Sequence, residues 1–143
     1  MHTEHLSNLH PGWVLGGWLV AVAVASIVFM VLVGTGLVAP DAGLNPAMVL
    51  AAVAAGFFAG GLFVGLRWSD APILHGAAIT FLSVVVWLAG NLLLPANVGG
   101  ADPRIERPAF VLGVIVLQLV SSVAGGWLGR RMVRRGETPT FEG

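Results

Sequence analysis

The sequence predicts an all-α integral membrane protein whose four helices form an up-down-up-down bundle. Hydrophobic residues make up 57% of the 143 residues and charged residues only 10%, whereas a soluble domain carries about 25% charged residues. Four apolar segments lack Asp, Glu, Lys and Arg: residues 13–38, 46–66, 72–94 and 108–128. Each has at least the roughly 20 residues that cross a bilayer. An apolar segment in lipid must satisfy its own backbone hydrogen bonds, so each is expected to be a helix.

The boundaries of the segments agree with this topology. The last three segments begin with proline, at a position where the missing amide hydrogen costs little: Pro46, Pro72 and Pro108. The connections 39–45 and 67–71 are short, which makes neighbouring helices antiparallel, and the connection 95–107 is longer. Residues 1–12 are predicted to form an N-terminal tail and residues 130–143 a basic C-terminal tail. The first segment is longer than the apolar region of a signal peptide, so we expect it to be retained.

The distribution of arginine predicts the orientation in the membrane. One side of the predicted bundle carries five arginines: Arg67, Arg130, Arg131, Arg134 and Arg135. The other side carries two, Arg104 and Arg107. The excess of positive charge belongs on the cytoplasmic side, so both termini are predicted to be cytoplasmic. The four C-terminal arginines are expected to contact anionic lipid headgroups. High Ala, Gly and Val content without lysine further indicates a bacterial chain, and hence the bacterial inner membrane.

Two apolar segments share a short motif, which predicts two tandem hairpin repeats. The second segment contains Ala55-Gly56-Phe57-Phe58-Ala59-Gly60, and the fourth contains Ala124-Gly125-Gly126-Trp127-Leu128-Gly129. Both follow the pattern Ala-Gly-x-aromatic-x-Gly near the end of the second helix of a hairpin. A parallel two-fold repeat would place them equivalently. Coincidence in a chain rich in Ala and Gly is the alternative.

These motifs resemble the YrzE-like family of small bacterial membrane proteins. The resemblance rests on residues 56–60, on the pair His75-Gly76 that opens the third segment, and on the closing motif of residues 125–129. It extends over nearly the whole chain and implies a four-helix membrane fold. Gly61 departs from the pattern, because a basic residue is commoner there. The resemblance implies no activity, since the family has none established.

Small residues recur every four positions along the predicted helices. These rows are Gly17, Ala21 and Ala25; Ala52, Gly56 and Gly60; Gly61 and Gly65; and Ser121, Gly125 and Gly129. Rows of this kind let helix backbones approach closely in lipid. They predict either packing among the four helices of one chain or association with a second copy or another membrane protein.

A few polar side chains lie within the apolar segments. His75 is interpreted as a pH-responsive gate, as a metal or cofactor ligand, or as a histidine hydrogen-bonded across the bundle near Gly56 or Gly60. Four further residues could line a narrow polar pathway or join helices by hydrogen bonds: Thr80, Ser83, Gln118 and Ser122.

The chemistry of the sequence favours a non-catalytic protein. No paired carboxylates, nucleophile set or phosphate-binding loop is present, cysteine is absent and the net charge is zero. We therefore expect no metal site, no cofactor and no nucleic-acid partner. The N-terminal residues His2, Glu4, His5 and His10 have permissive metal-ligand spacing, but a solvated tail is the expectation. The leading hypothesis is a self-associating protein or an accessory subunit of a membrane complex, and the alternative is a small channel or facilitator.

Overall fold

The computed structural model describes residues 9–36, 46–67, 71–93 and 108–136. These residues form four helices: α1 (Pro11–Gly34), α2 (Pro46–Arg67), α3 (Pro72–Leu93) and α4 (Pro108–Gly136). All four are long and apolar enough to cross a membrane. The predicted fold class, an all-α bundle of four membrane-spanning helices, is therefore confirmed, and the protein is a multi-pass membrane protein.

The C-terminal ends of α1 and α4 differ from the sequence boundaries by more than two residues, and the other helix ends differ by two residues or fewer. α1 also begins at Pro11, so the last two residues of the predicted N-terminal tail are helical. After Gly34 the Thr35 N–H still donates to the Val31 carbonyl oxygen at 2.9 Å, as in a helix. α1 ends there because the Gly36 N–H donates to the Val33 carbonyl oxygen at 3.0 Å and Gly36 adopts a φ of +71°. A left-handed glycine directly after a helix is a common helix terminator. α4 does not stop at residue 128 but continues to Gly136, so the arginines between 130 and 135 are helical.

The four helices are arranged as two hairpins side by side. In the first hairpin, α1 packs antiparallel on α2, with Gly17 against Gly60. In the second, α3 packs antiparallel on α4, with Gly76 against Val123. The hairpins meet chiefly through α2 and α4, which run parallel. α1 and α3 also contact each other in their N-terminal halves, where Gly17 faces Ile79. The order around the bundle is therefore α1–α2–α4–α3.

The interior is small, and the outer surface is apolar. The buried core consists of five side chains: Val14, Ala21, Phe57, Val64 and Ile79. Large apolar side chains point outward on every helix, including Leu19, Phe81 and Leu112. A water-soluble protein rarely exposes contiguous apolar surface on this scale, whereas a bundle surrounded by lipid must do so.

Candidate functional site

Small residues bring the backbones of α1 and α2 into contact. A Cβ atom added to Gly60 would lie 2.9 Å from the Ala21 Cβ and would also meet the Gly17 carbonyl oxygen. A Cβ atom on Gly56 would lie 2.7 Å from the Ala25 Cβ. Ala52 continues this row and is 2% exposed. No side chain larger than hydrogen therefore fits at the two glycine positions without separating the helices.

A second set of small residues brings α2 against α4. A Cβ atom on Gly125 would lie 2.8 Å from the Leu62 backbone nitrogen, and one on Gly129 would lie 2.7 Å from the Leu62 carbonyl oxygen. Gly61 faces the backbone of Ser122. Ser121, which the sequence places in this row, is only half-buried, and its neighbour Ser122 is fully buried. α2 therefore carries glycines on two faces, one against each neighbour.

The two repeated motifs do not occupy equivalent environments. Gly56 and Gly60 contact α1, the partner of α2 within its own hairpin. Gly125 and Gly129 contact α2, which belongs to the other hairpin, and it is Gly126 that faces Pro72 of α3. The shared pattern thus supplies a contact within the first hairpin through Gly56 and Gly60, and a contact between the two hairpins through Gly125 and Gly129.

His75 joins the beginnings of α1 and α3. Its imidazole is 1% exposed; Nδ1 lies 2.9 Å from the Ala71 carbonyl oxygen, and Nε2 lies 3.4 Å from the backbone nitrogen of His10. Because a carbonyl oxygen only accepts and a backbone N–H only donates, these contacts require the neutral tautomer with its proton on Nδ1. Both ring nitrogens are engaged, so a metal ion could bind His75 only by displacing one of these contacts.

Thr80 and Ser122 form a hydrogen-bonded contact between α3 and α4. The Ser122 hydroxyl donates to the Gly76 carbonyl oxygen at 2.9 Å or to the Leu119 carbonyl oxygen at 3.1 Å, and it lies 3.3 Å from the Thr80 hydroxyl. Both side chains are buried. Gly76 allows this approach, because a Cβ atom there would lie 2.9 Å from the Val123 nitrogen.

Ser83 and Gln118 instead line a cavity one helical turn away. This α3–α4 cavity has a volume of about 280 Å³, and its other lining residues are apolar or aromatic: Val49, Val84, Trp87, Phe110, Val111, Val114 and Ile115. The structure therefore separates the four predicted pathway residues into two pairs. One pair joins the helices and the other faces an open space.

One end of the bundle is basic. This basic end comprises the last turns of α4 and the end of α2, with five arginines: Arg67, Arg130, Arg131, Arg134 and Arg135. The Arg131 guanidinium lies 5.3 Å from the centre of the Trp127 ring, a cation–π contact. The Arg130 Nε is buried and has no hydrogen-bond partner within the described ranges. Arg104 and Arg107 lie outside the described residues.

α2 carries a third row of small residues that was not predicted from the sequence. Ala51 and Ala55 are exposed and Ala59 is half-buried, so the row lies on the outer surface. Its four-residue spacing was visible in the sequence. The other rows could not be distinguished from it without knowing which faces of α2 contact α1 and α4.

Of the N-terminal metal-ligand candidates, His2, Glu4 and His5 lie outside the described residues, and His10 is the residue whose backbone bonds to His75.

Comparison of the chain with known protein families, with curated proteins and with solved structures finds no match.

Proposed function

We propose that this chain is a non-catalytic membrane protein that functions by assembling in the bilayer, with a second copy of itself or as an accessory subunit. The observation that carries the proposal is the outer row of Ala51, Ala55 and Ala59 on α2. The glycine rows on the same helix are occupied by α1 and α4, whereas this row faces outward. Interfaces between associating membrane helices are enriched in small residues at four-residue spacing, because these let the backbones approach closely.

The experiment is purification from native membranes in mild detergent, followed by mass spectrometry of the intact complex. Recovery of a dimer, or of a stoichiometric membrane partner, supports assembly. We expect Ala55→Trp to abolish that complex while the protein still inserts, because an indole would hold the approaching helix away. Ala23→Trp makes the same change on the exposed surface of α1 and should leave the complex intact. A strictly monomeric wild type, or equal complex in both variants, contradicts the proposal.

The proposal places the protein in the bacterial inner membrane with both termini in the cytoplasm. The five arginines of the basic end support this orientation, since positive charge is retained on the cytoplasmic side. The same side chains would contact anionic headgroups. Membership of the YrzE-like family stays a prediction that rests on the sequence motifs.

Cysteine labelling tests the orientation directly, because the natural chain has no cysteine. Thr35→Cys lies in an exposed turn at the end opposite the arginines, and Arg135→Cys lies at the basic end. A membrane-impermeant maleimide should label intact cells through Thr35→Cys and should reach Arg135→Cys only after permeabilisation. The reverse pattern would show that the termini face outward.

A second candidate function, a facilitator for a small solute or ion, is favoured by the α3–α4 cavity. Ser83 and Gln118 line this cavity, and a pathway would require such polar lining. One helical turn further along, however, the Thr80–Ser122 contact joins α3 to α4. A pathway would therefore need this contact to open. This function would be established if the protein carried solute into proteoliposomes and Gln118→Leu abolished that flux. Equal flux with and without the protein would exclude a facilitator function.

A further inference from the structure

The α3–α4 cavity combines apolar walls with two polar side chains at the middle of the membrane. Gln118 lies ten residues after the start of α4 and Ser83 eleven residues after the start of α3. At 1.5 Å per residue, both lie about 15 Å along their helices, which is half of a hydrocarbon core about 30 Å thick. Their polar groups are therefore as far from water as the bilayer allows.

Neither side chain is paired with another part of the protein that the structure describes. Thr80 and Ser122, one turn away, bond to each other and to the Gly76 carbonyl oxygen, but no such bond involves Ser83 or Gln118 among the described residues. An amide in hydrocarbon without a hydrogen bond is costly. A ligand that forms a hydrogen bond with Gln118 or Ser83 would offset this unfavourable free energy.

The walls indicate what shape such a ligand has. Trp87 and Phe110 line the cavity together with branched aliphatic side chains, and each of these two rings is about 40% exposed. The volume of about 280 Å³ lies just below the roughly 300–1,000 Å³ typical of small-molecule pockets, so the ligand must be small. A flat, mostly apolar ring compound matches both the size and the aromatic lining.

The depth of the polar groups excludes ordinary lipids as the source of the hydrogen bond. The ester carbonyls of a phospholipid lie near the interface, about 15 Å from Gln118, and the hydrocarbon tail of the lipid has no acceptor. The Gln118 amide offers N–H donors and a carbonyl acceptor, and the Ser83 hydroxyl can also donate or accept. A ligand with a hydrogen-bond acceptor within its apolar body can therefore pair with either side chain.

We propose that the α3–α4 cavity is a binding site for a small, membrane-soluble ring compound bearing a carbonyl group, of the quinone type. The carbonyl oxygen accepts a hydrogen bond from Gln118 or Ser83, and the ring lies between Trp87 and Phe110. The Thr80–Ser122 contact lies about one helical turn from these two polar side chains and outside the cavity lining. This site does not depend on the assembly proposed above, because α2 contributes Val49 to the cavity but none of the outer alanine row.

Binding is tested on the full chain in detergent with 2-methyl-1,4-naphthoquinone as the probe and 2-methylnaphthalene as its counterpart without carbonyls. The readout is the shift of the thermal unfolding midpoint, followed by circular dichroism, since a ligand stabilises the state that binds it. The protein contains no cysteine, so the quinone cannot form thiol adducts that imitate binding. We expect the naphthoquinone to bind about tenfold more tightly than the hydrocarbon, as one additional hydrogen bond would give.

Three variants locate the site. Gln118→Leu should reduce the preference for the naphthoquinone, and Ser83→Ala provides the same test if the leucine variant fails to fold. Val114→Phe should weaken both probes by filling the cavity. Ser26→Ala, the same change as at Ser83 but on the exposed surface of α1, should alter nothing. Equal binding of the two probes to the wild type overturns the carbonyl requirement, and unchanged binding in Val114→Phe overturns the location.

Discussion

Replacing Gly60 with alanine should destabilise the bundle even though the change adds a single methyl group. The added Cβ would lie 2.9 Å from the Ala21 Cβ, whereas ordinary contacts begin at 3.4 Å. α1 and α2 must therefore separate by at least the difference, 3.4 − 2.9 = 0.5 Å. The neighbouring atoms are a Cβ and backbone, so no rotamer change can relieve the clash. Overpacking of this kind costs about 1–3 kcal/mol, and we expect the upper half of that range.

Gly113→Ala is the matched control, because a Cβ atom there meets nothing within 4 Å. Alanine is favoured over glycine in a helix interior by up to about 1 kcal/mol, so this variant should be as stable as the wild type or more stable. Both variants can be unfolded with SDS in mixed micelles and followed by circular dichroism. Equal stability of Gly60→Ala and Gly113→Ala would refute the conclusion that the α1–α2 backbones are in contact.

Two further substitutions test the polar contacts by the same unfolding assay. Ser122→Ala removes the hydroxyl that bonds to the Gly76 carbonyl oxygen, and we expect a loss of about 0.6 kcal/mol, the average for such bonds in membrane bundles; a loss no larger than that of Ser26→Ala would contradict it. His75→Leu removes two hydrogen bonds at roughly 0.5–1.5 kcal/mol each, so a loss of about 1–3 kcal/mol is expected. Faster amide hydrogen exchange at His10 should accompany it, and unchanged exchange would show that the imidazole does not hold the start of α1.

The sequence predicts the topology well, because each helix that crosses the lipid must consist of about 20 mostly apolar residues. Apolar length and the prolines at 46, 72 and 108 determine where three helices begin, and short connections determine their antiparallel order. The helix faces are harder to predict. Gly60 and Gly61 are neighbours in sequence, yet the first contacts α1 and the second contacts α4. Which face of α2 meets which neighbour depends on the rotation of each helix about its own axis. A uniformly apolar sequence contains little information about that rotation.

The candidate site was predictable in part for a related reason. Residue type alone indicated His75, Thr80, Ser83, Gln118 and Ser122 as the polar side chains of the spans. Which of them bond to each other and which face a cavity depends on the separation of α3 and α4 along their length. The hydrogen-bond partner of His75 at the start of α1 is a backbone amide. Every residue except proline has such an amide, so the pattern of side chains cannot predict this partner.

The glycine contacts are unevenly distributed along the membrane normal, and this has a mechanical consequence. Gly17, Gly76 and Gly129 bring helices together toward the basic end, whereas Gly90 and Gly113 toward the other end meet nothing within 4 Å. The helices are therefore in closer contact in the basic half of the bundle than in the half that contains Gly90 and Gly113. When the bilayer thins or its lateral pressure changes, the helices adjust where they are least tightly joined. The half of the bundle that contains the α3–α4 cavity would then take up most of the deformation.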